Sequence, residues 1–599
     1  MYVEVVVLTY QAPDIGSFTY EIPKNLEKQI KVGQLVQVPF GKRNPQAIVL
    51  DTRSDLGVRT RSDLVVEKIK SIDSIVIEQP ILLPHQIALL KWLTSYYFAP
   101  MVNCLEAMLP QLPTKLSSYS SSESEGRIEK FTSFSSRLRS NNMQKAVSQT
   151  LVLVPTITRI PQIMPLFKSA KNYIFYHNQL KSSERFENWL KILEGNIDFI
   201  FGSRSAIFAP CPNLAKIIIF DEHDGAYKDE RSPYFDTLTV AEKLMELTGT
   251  KLEIIDSSPK ITTYFAYKDK IISSKYSSSE RRESRSLSTL SSKPKGSRQA
   301  RIIPKIKIVS MADERQAGNK SPISSVLAEK IKKIHMAGGK TLLFLNKKAE
   351  SGQIYCRACK QQNFAPKMPT ICPNCQSPDI FFHSLNINSL AQEVKKIVPL
   401  STCDISTSAI FYAPLFQKYD LVVHILTDSV LNTVDLKTPE NFYSQISDLK
   451  KLTKEKGVLI LQTYNSQNPL IKQAAAGDYR NFYLNELNAR KMLLYPPYSL
   501  LVKLTIKGKK QDLILQKANS LNSTLQSIRA ENNSVERITI LGPYEPVFLG
   551  KTPRYNIILK VKLETYDLET IEKAARLLLP YIAKVPKGYT ITVEPDNLN

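Results

Sequence analysis

No run of eighteen apolar residues occurs in the 599-residue chain, which argues against a membrane-spanning helix and leaves the membrane out of the expected partners. The opening stretch MYVEVVVLTY lacks a basic segment followed by an apolar one. It is expected to form a first strand and not a secretory signal. Acidic residues are in deficit, with 56 Asp and Glu against 80 Lys and Arg, a net charge of +24. Such an excess concentrates polyanions, so nucleic acid is the leading partner class; an ordinary basic surface is the plain alternative. Cysteines are scarce at seven, four of them in one cluster. That usage excludes a disulfide framework and fits a reduced, cytoplasmic protein with a metal site. Between Arg127 and Glu194 there is no glycine at all.

What is present is the composition of a soluble globular protein, 43% hydrophobic. A chain of this length divides into roughly three to five domains. The runs "YVEVVVL", "SFTYEIP", "GQLVQVPF" and "QAIVLDT" are short and β-rich, separated by Pro, Gly and Asn turns, and predict a small β-barrel over residues 1–60. Residues 84–110 read as helix, with Trp92, Tyr96, Tyr97 and Phe98 as core packing. Residues 117–141 are Ser-rich and aperiodic, a linker. The runs "TLVLVP", "NYIFYH", "IDFIFG", "AKIIIFDE" and "KLEIID" are buried strands with helix-length spacers, predicting a parallel sheet. A second Ser-rich linker, 273–301, carries eight Lys or Arg against two Glu and is suited to phosphate contacts or to service as a solvated spacer. Another α/β unit follows, with strands expected at "KTLLFLN", "SAIFYA", "LVVHILT" and "GVLILQT" and a cysteine-bearing insertion after the first of them. The tail from about 476 is α+β, with strands at "SLLVKLTIKG", "RITILGP", "RYNIILKVK" and "YTITVEP".

Cys356, Cys359, Cys372 and Cys375 form C-x2-C-x12-C-x2-C. Each pair puts two thiolates on one tight turn, and two turns complete a tetrahedral sulfur shell for one zinc ion. Four sulfurs leave no open position for water, so the zinc is structural. Cys104, Cys211 and Cys403 stand alone and read as buried apolar residues.

Two tandem α/β units in a basic chain suggest a two-lobed motor that binds ATP between its lobes. Such a motor needs a glycine-rich phosphate loop, a strand-end Asp for magnesium and an Arg from the facing lobe. The glycine-free stretch ahead of Leu151 cannot supply the loop. Gly339-Lys340-Thr341 has Ile334 where the loop's first glycine belongs and leads into a strand; Gly550-Lys551-Thr552 has Glu545 there.

The strings "VGQLVQVPFGKR", "FGSRSAIFAP", "DEHDGAYK", "TLLFLN", "CPNCQSPD", "TDSVLN", "ELNARKMLLYPPYS", "LGP" with "RYNIILK", and "TVEPDNL" occur in this order along nearly the whole chain. In this the chain resembles PriA, the primosomal replication-restart helicase family. The resemblance implies a multidomain α/β protein: a β-barrel-like, DNA 3′-end-binding domain at 1–110, two RecA-like helicase lobes at 151–270 and 302–475, a zinc-ribbon insertion at 354–383 and an α+β C-terminal domain at 476–599. The linker 111–150 takes the place of the family's winged helix and P-loop, and 271–301 is the basic linker. The implied partners are DNA, forked or with a free 3′ end, other primosome proteins and the replicative-helicase loading machinery.

The departures fall together. The family's first metal-binding Asp falls on Phe220, followed by Asp221 and Glu222 as remnants of an ATP site, then His223, for which no catalytic partner is indicated. The coupling motif reads Asp256, Ser257, Ser258, Pro259. In the second lobe one phosphate-side segment falls on Ser406 to Ala413, and the two Arg slots on Leu452 and Glu455. ATP and magnesium are therefore not expected, and both lobes read as degenerate. The family's 3′-end pocket falls on Phe18, Thr19 (an Asp in the family) and Gly41, with Lys42 beside it; its downstream Lys falls near Val66, close to Lys68 and Lys70. The leading reading is a fork-binding protein without ATPase activity. An active 3′–5′ helicase with a non-standard ATP site and a general basic nucleic-acid-binding protein are the alternatives.

Overall fold

The computed structural model describes residues 1–8, 16–54, 69–112, 147–167, 170–267, 304–346, 352–359, 362–365, 369–383, 385–413, 417–431, 435–531, 536–546 and 552–598. The Ser-rich stretch 117–141, the basic linker 271–301, Val66 and Lys68 lie outside these residues. The chain forms two compact units: Met1–Ile255 with Pro496–Asn599, and Asp256–Tyr495.

In the first unit, β1 (Tyr2–Val7), β2 (Phe18–Glu21), β3 (Leu35–Gln37), β4 (Gln46–Arg53) and β5 (Ser74–Ile75) pair antiparallel in the order β2-β1-β4-β3-β5. Side chains alternate across a strand. Val3, Val5 and Val7 accordingly enter one core with Tyr20 and Val49, and Val6 enters another with Leu35 and Ile48. The chain leading into β5 also bonds the far edge: Glu21 N–H donates to Lys70 O (2.9 Å) and Ile72 N–H to Glu21 O (3.1 Å). The helix expected over 84–110 is two helices, Pro84–Tyr96 and Met101–Met108. Pro100 lies in the break; it has no N–H to continue the first helix, and Phe98 takes φ +51°.

All five strands read from the next segment form. β6 (Gln149–Leu153), β7 (Tyr173–Tyr176), β8 (Phe199–Gly202), β9 (Leu214–Phe220) and β10 (Lys251–Ile255) make a parallel sheet in the order β10-β9-β6-β8-β7. The central strands β6, β8 and β9 are largely buried on both faces, which is why they read as continuous apolar runs. Leu151, Leu153, Ile217 and Ile219 face one core; Val152, Phe201, Ile218 and Phe220 face another.

The second unit carries β11 (Lys305–Ser310), β12 (Thr341–Phe344), the insertion β13 (Gly352–Cys356), β14 (Gln362–Ala365) and β15 (Ile380–His383), then β16 (Cys403–Ser406), β17 (Tyr419–His424) and β18 (Thr453–Thr463). Its parallel sheet runs β11-β18-β17-β12-β16; the insertion is a separate antiparallel sheet, β14-β13-β15. Two expectations are corrected here. "SAIFYA" is a 3-10 turn, Ser408–Tyr412, and the strand is the preceding Cys403–Ser406. A short apolar run does not by itself separate strand from helical turn. The cysteine insertion follows the second strand of this unit, because β11, whose lysines mask its apolar face, comes first.

The C-terminal segment returns to the first unit as β19 (Ser499–Lys507), β20 (Ile538–Tyr544), β21 (Arg554–Lys562) and β22 (Tyr589–Val593), antiparallel in the order β20-β21-β19-β22, with all four expected strands present. Helices Gln511–Glu531 and Leu568–Leu577 pack on it. One core joins Leu35 and Trp92 to Trp189 and Phe208, and on to Leu500, Leu559 and Val593. Polar bonds cross the same joints: Trp92 Nε1 and Lys243 Nζ both donate to Glu572 Oε1 (2.7 and 2.8 Å), Trp189 Nε1 to Ile81 O (3.1 Å), Gln86 Nε2 to Phe208 O (2.8 Å) and Lys228 Nζ to Val593 O (2.9 Å). Trp92, Tyr96 and Tyr97 are buried, as expected for packing residues.

Candidate functional site

Three places gather residues with chemistry. The first is the turn between β3 and β4. Phe40 and Arg43 close it with paired backbone bonds, Phe40 N–H to Arg43 O (2.7 Å) and Arg43 N–H to Phe40 O (3.1 Å). Gly41 sits at φ +61°, and a Cβ there would meet nothing within 4 Å. The glycine therefore serves the left-handed backbone and does not relieve crowding. Phe18 in β2 meets Phe40 edge to face, ring centroids 5.1 Å apart at 75°. The structure thus brings Phe18 together with the Gly41-Lys42 turn, with Lys42 and Arg43 exposed. Thr19 alternates to the other face of β2, exposed and opposite Glu4. The Glu4 carboxylate is held by Ser17 and by Arg53 at 2.9 Å. Lys70 is exposed, and its carbonyl accepts from Glu21 at the end of β2.

The second place is the end of β9. Phe220 is buried against Phe167, with centroids 6.3 Å apart, and its carbonyl accepts from Tyr227 OH (2.7 Å). Asp221 turns the chain at φ +48°, its N–H bonding Ile255 O (3.0 Å). Its carboxylate pairs with Arg159 (3.2 Å), a residue the sequence reading did not single out. Glu222 is buried. Arg204, from "FGSRSAIFAP", donates through Nη1 to Ala226 O (2.8 Å) and Lys228 O (2.7 Å), and its Nε pairs with Asp229 (3.3 Å). The two strings "FGSRSAIFAP" and "DEHDGAYK" are therefore bonded to each other. At Gly202, a Cβ would lie 2.2 Å from Tyr176 O, so the close strand approach excludes any side chain. In the second unit Leu452 is buried at a helix end and Glu455 is exposed on β18; Ser258 N–H caps onto Asp256 Oδ1 (2.8 Å).

The third place is the insertion. Cys356 ends β13, and its Sγ lies 3.5 Å from that of Cys375; Cys359 and Cys372 Sγ are 3.7 Å apart, and all four lie within 4.8 Å of one another. A zinc with four bonds of about 2.3 Å sets its sulfurs about 3.8 Å apart, so the quartet fits a tetrahedral ion. The turn is shaped by Cys372 N–H to Ser377 O (2.8 Å), and Asn374 offers its backbone N–H to Cys372 Sγ (3.4 Å) and its amide to Cys359 Sγ (3.8 Å). Cys375 feels a lowering backbone bond at Ser377. Desolvation and the three neighbouring thiols outweigh it and push the thiol up to about 12. Four thiols this close do not all ionise alone, and a dication releases the remaining protons on binding. Burial pushes Cys104 and Cys211 up to about 12 and also raises Cys403, as befits unreactive packing residues.

Comparison with known proteins bears directly on the first place. Residues 6–110 match the family model of the PriA 3′DNA-binding domain (3′BD). The "Replication restart protein PriA" of Synechocystis sp. is 25% identical over 480 residues, covering 69% of this chain and 55% of that protein. That of Bacillus subtilis is 26% identical, covering 70% and 56%. That of Rickettsia conorii is 23% identical and covers 91% of this chain and 93% of its own length.

The chain is similar to PriA proteins over most of its length.

It spans about half the length of the first two PriA relatives and nearly all of the third. Among solved structures, the helicase Lhr of Mycobacterium smegmatis bound to ssDNA and AMP-PNP shares 12% identity at TM-score 0.29, covering 56% of this chain and 43% of that one. RecG bound to a three-way DNA junction shares 12% at 0.31, covering 68% and 53%. Likeness at those scores carries no weight for fold or function. Among the described residues no helix is long and apolar enough to cross a membrane.

Proposed function

We propose that the chain binds DNA at forks or free 3′ ends, promotes primosome assembly and reloading of the replicative helicase in the cytoplasm, and does so without hydrolysing ATP. The observation that carries the reading is the PriA 3′DNA-binding match over 6–110, together with the turn that presents Gly41, Lys42 and Arg43 beside Phe18. In this reading Lys42 and Arg43 hold backbone phosphate, Gly41 leaves room for close approach, and Phe18 offers a ring to the terminal base. Thr19, a hydroxyl where the family has Asp, is a weaker partner for a terminal 3′ hydroxyl than a carboxylate.

The same proposal treats the two lobes, 151–270 and 302–475, as degenerate. Phe220 occupies the metal-binding slot and is packed among Phe residues, and the Asp221 carboxylate is engaged by Arg159. A magnesium ion at Asp221 would share the carboxylate with that guanidinium. One zinc ion in the Cys356, Cys359, Cys372 and Cys375 quartet is the cofactor we assign, with structural work only.

The deciding experiment is a salt titration of binding to forked and linear duplexes without nucleotide. The expectation is tighter binding to forks at every salt concentration. Equal affinity for the two would replace this reading by general nucleic-acid binding, which the charge of +24 by itself favours.

A further inference from the structure

The C-terminal sheet carries a groove of 530 Å³, within the range of roughly 300–1,000 Å³ that holds nucleotide-sized ligands. Lys507, Lys509, Lys510, Lys517, Lys584 and Lys587 line it, and none of its described lining residues is acidic. Ile506, Ile514, Leu521 and Tyr589 supply apolar wall. The segment Lys509-Lys510 leads directly into the 21-residue helix Gln511–Glu531, whose first turn opens on the groove at Leu513 and adds the positive end of a helix dipole.

Two further observations call for a negative ligand. Lys507 stands directly across from Arg554 in the register of β19 and β21. Like charges opposite each other cost a sheet stability unless an anion lies between them. Arg554 Nε and the Tyr589 hydroxyl are both shielded from water and without a hydrogen-bond partner, whereas buried donors ordinarily have one. Burial also raises Tyr589, which stays an O–H donor.

We propose that this groove is a phosphate-binding site, taking the phosphate chain of a nucleotide either free or within a nucleic-acid strand. It is separate from the Phe18 turn, and the proposal does not rest on fork recognition. Lys507, Lys509, Lys510 and Lys517 neutralise the phosphates, Tyr589 donates to their oxygens, and the apolar wall receives the sugar or base.

The test uses the full chain, with inorganic tripolyphosphate and an eight-nucleotide oligothymidylate as probes. The triple substitution Lys509→Ala, Lys510→Ala and Lys517→Ala should weaken tripolyphosphate binding by about ten-fold or more. A charge-matched control, Lys332→Ala, Lys395→Ala and Lys456→Ala, should change it less than about two-fold. Tripolyphosphate should raise the Tm of the intact chain and of the control variant, and not that of the groove variant. Competition by the oligonucleotide assigns the phosphate to a strand; tripolyphosphate binding that the oligonucleotide does not displace assigns it to free nucleotide. Absence of saturable binding by either probe, or equal losses in the two triple variants, overturns the site. Fork preference measured on the same intact chain reports on the N-terminal turn and is independent of either outcome.

Discussion

The cysteine insertion and the end of β9 carry opposite expectations of metal chemistry: the C-x2-C spacing predicts zinc at the first, and Phe220 in the family's Asp slot predicts no magnesium at the second. At the insertion four sulfurs converge with spacings a tetrahedral ion would impose. At β9 the strand ends on a buried phenyl ring, and the carboxylate that follows is already paired with Arg159. The difference is one of chain distance. Two C-x2-C turns create most of their own geometry within a few residues. A phosphate and magnesium site draws on parts far apart in sequence, so changes at scattered positions can dismantle such a site while the sheet that carries it still packs.

The largest expected effect lies on the insertion side. Cys372→Ser should abolish metal binding and open 352–383 to protease, because for so small a sheet metal-binding energy, about 10–16 kcal/mol in isolated zinc-finger peptides, is folding energy. Elemental analysis of the intact chain should return one zinc; two, or none after purification without chelator, would break the comparison.

On the β9 side, Arg159→Ala should destabilise the first unit by about 3 kcal/mol, the lower end for stripping one partner from a largely buried ion pair. ATP turnover should stay at background in both intact and altered chains. DNA-stimulated hydrolysis by the intact chain would show that the Asp221 pairing does not exclude the reaction and would bring back the active-helicase alternative.

A smaller effect is expected at the N-terminal turn. Phe18→Ala should weaken binding to a duplex with a free 3′ end by about 1–3 kcal/mol while leaving the salt slope unchanged, since a ring reads a base and not summed charge. A parallel loss on blunt and 3′-tailed DNA would assign Phe18 to packing with Phe40 alone. Smallest is removal of 273–301. Fork preference should persist, and the log–log salt dependence should flatten by roughly 0.7–0.9 for each phosphate that the shortened chain no longer neutralises.

Much of this was legible from the chain alone. Every strand of the first parallel sheet and of the C-terminal sheet coincides with an apolar run; the central ones, such as β9, β19 and β21, are visible without partner information because they are largely buried. The metal quartet was legible for the same local reason. β11 was not, since Lys305 and Lys307 break its apolar pattern and its hydrogen bonds to β18 lie far along the chain. "SAIFYA" misled because an apolar run of six residues serves a 3-10 turn as well as a strand. Phe18 and Gly41 came from the resemblance; that they meet through Phe40 is visible only in the folded sheet.

The sequence by itself determined the local elements, the sulfur ligands, the excess of positive charge and the resemblance to PriA. Periodicity and spacing report on neighbours a few residues away, and these features need no more. Only the tertiary structure decided that Arg159 holds Asp221, and that Trp92 reaches Glu572 across 480 residues. It alone decided that both ends of the chain share one core, and that Lys507 faces Arg554. Each depends on which distant segments pack together. That is settled by burying apolar faces against one another, and no local pattern encodes the partner.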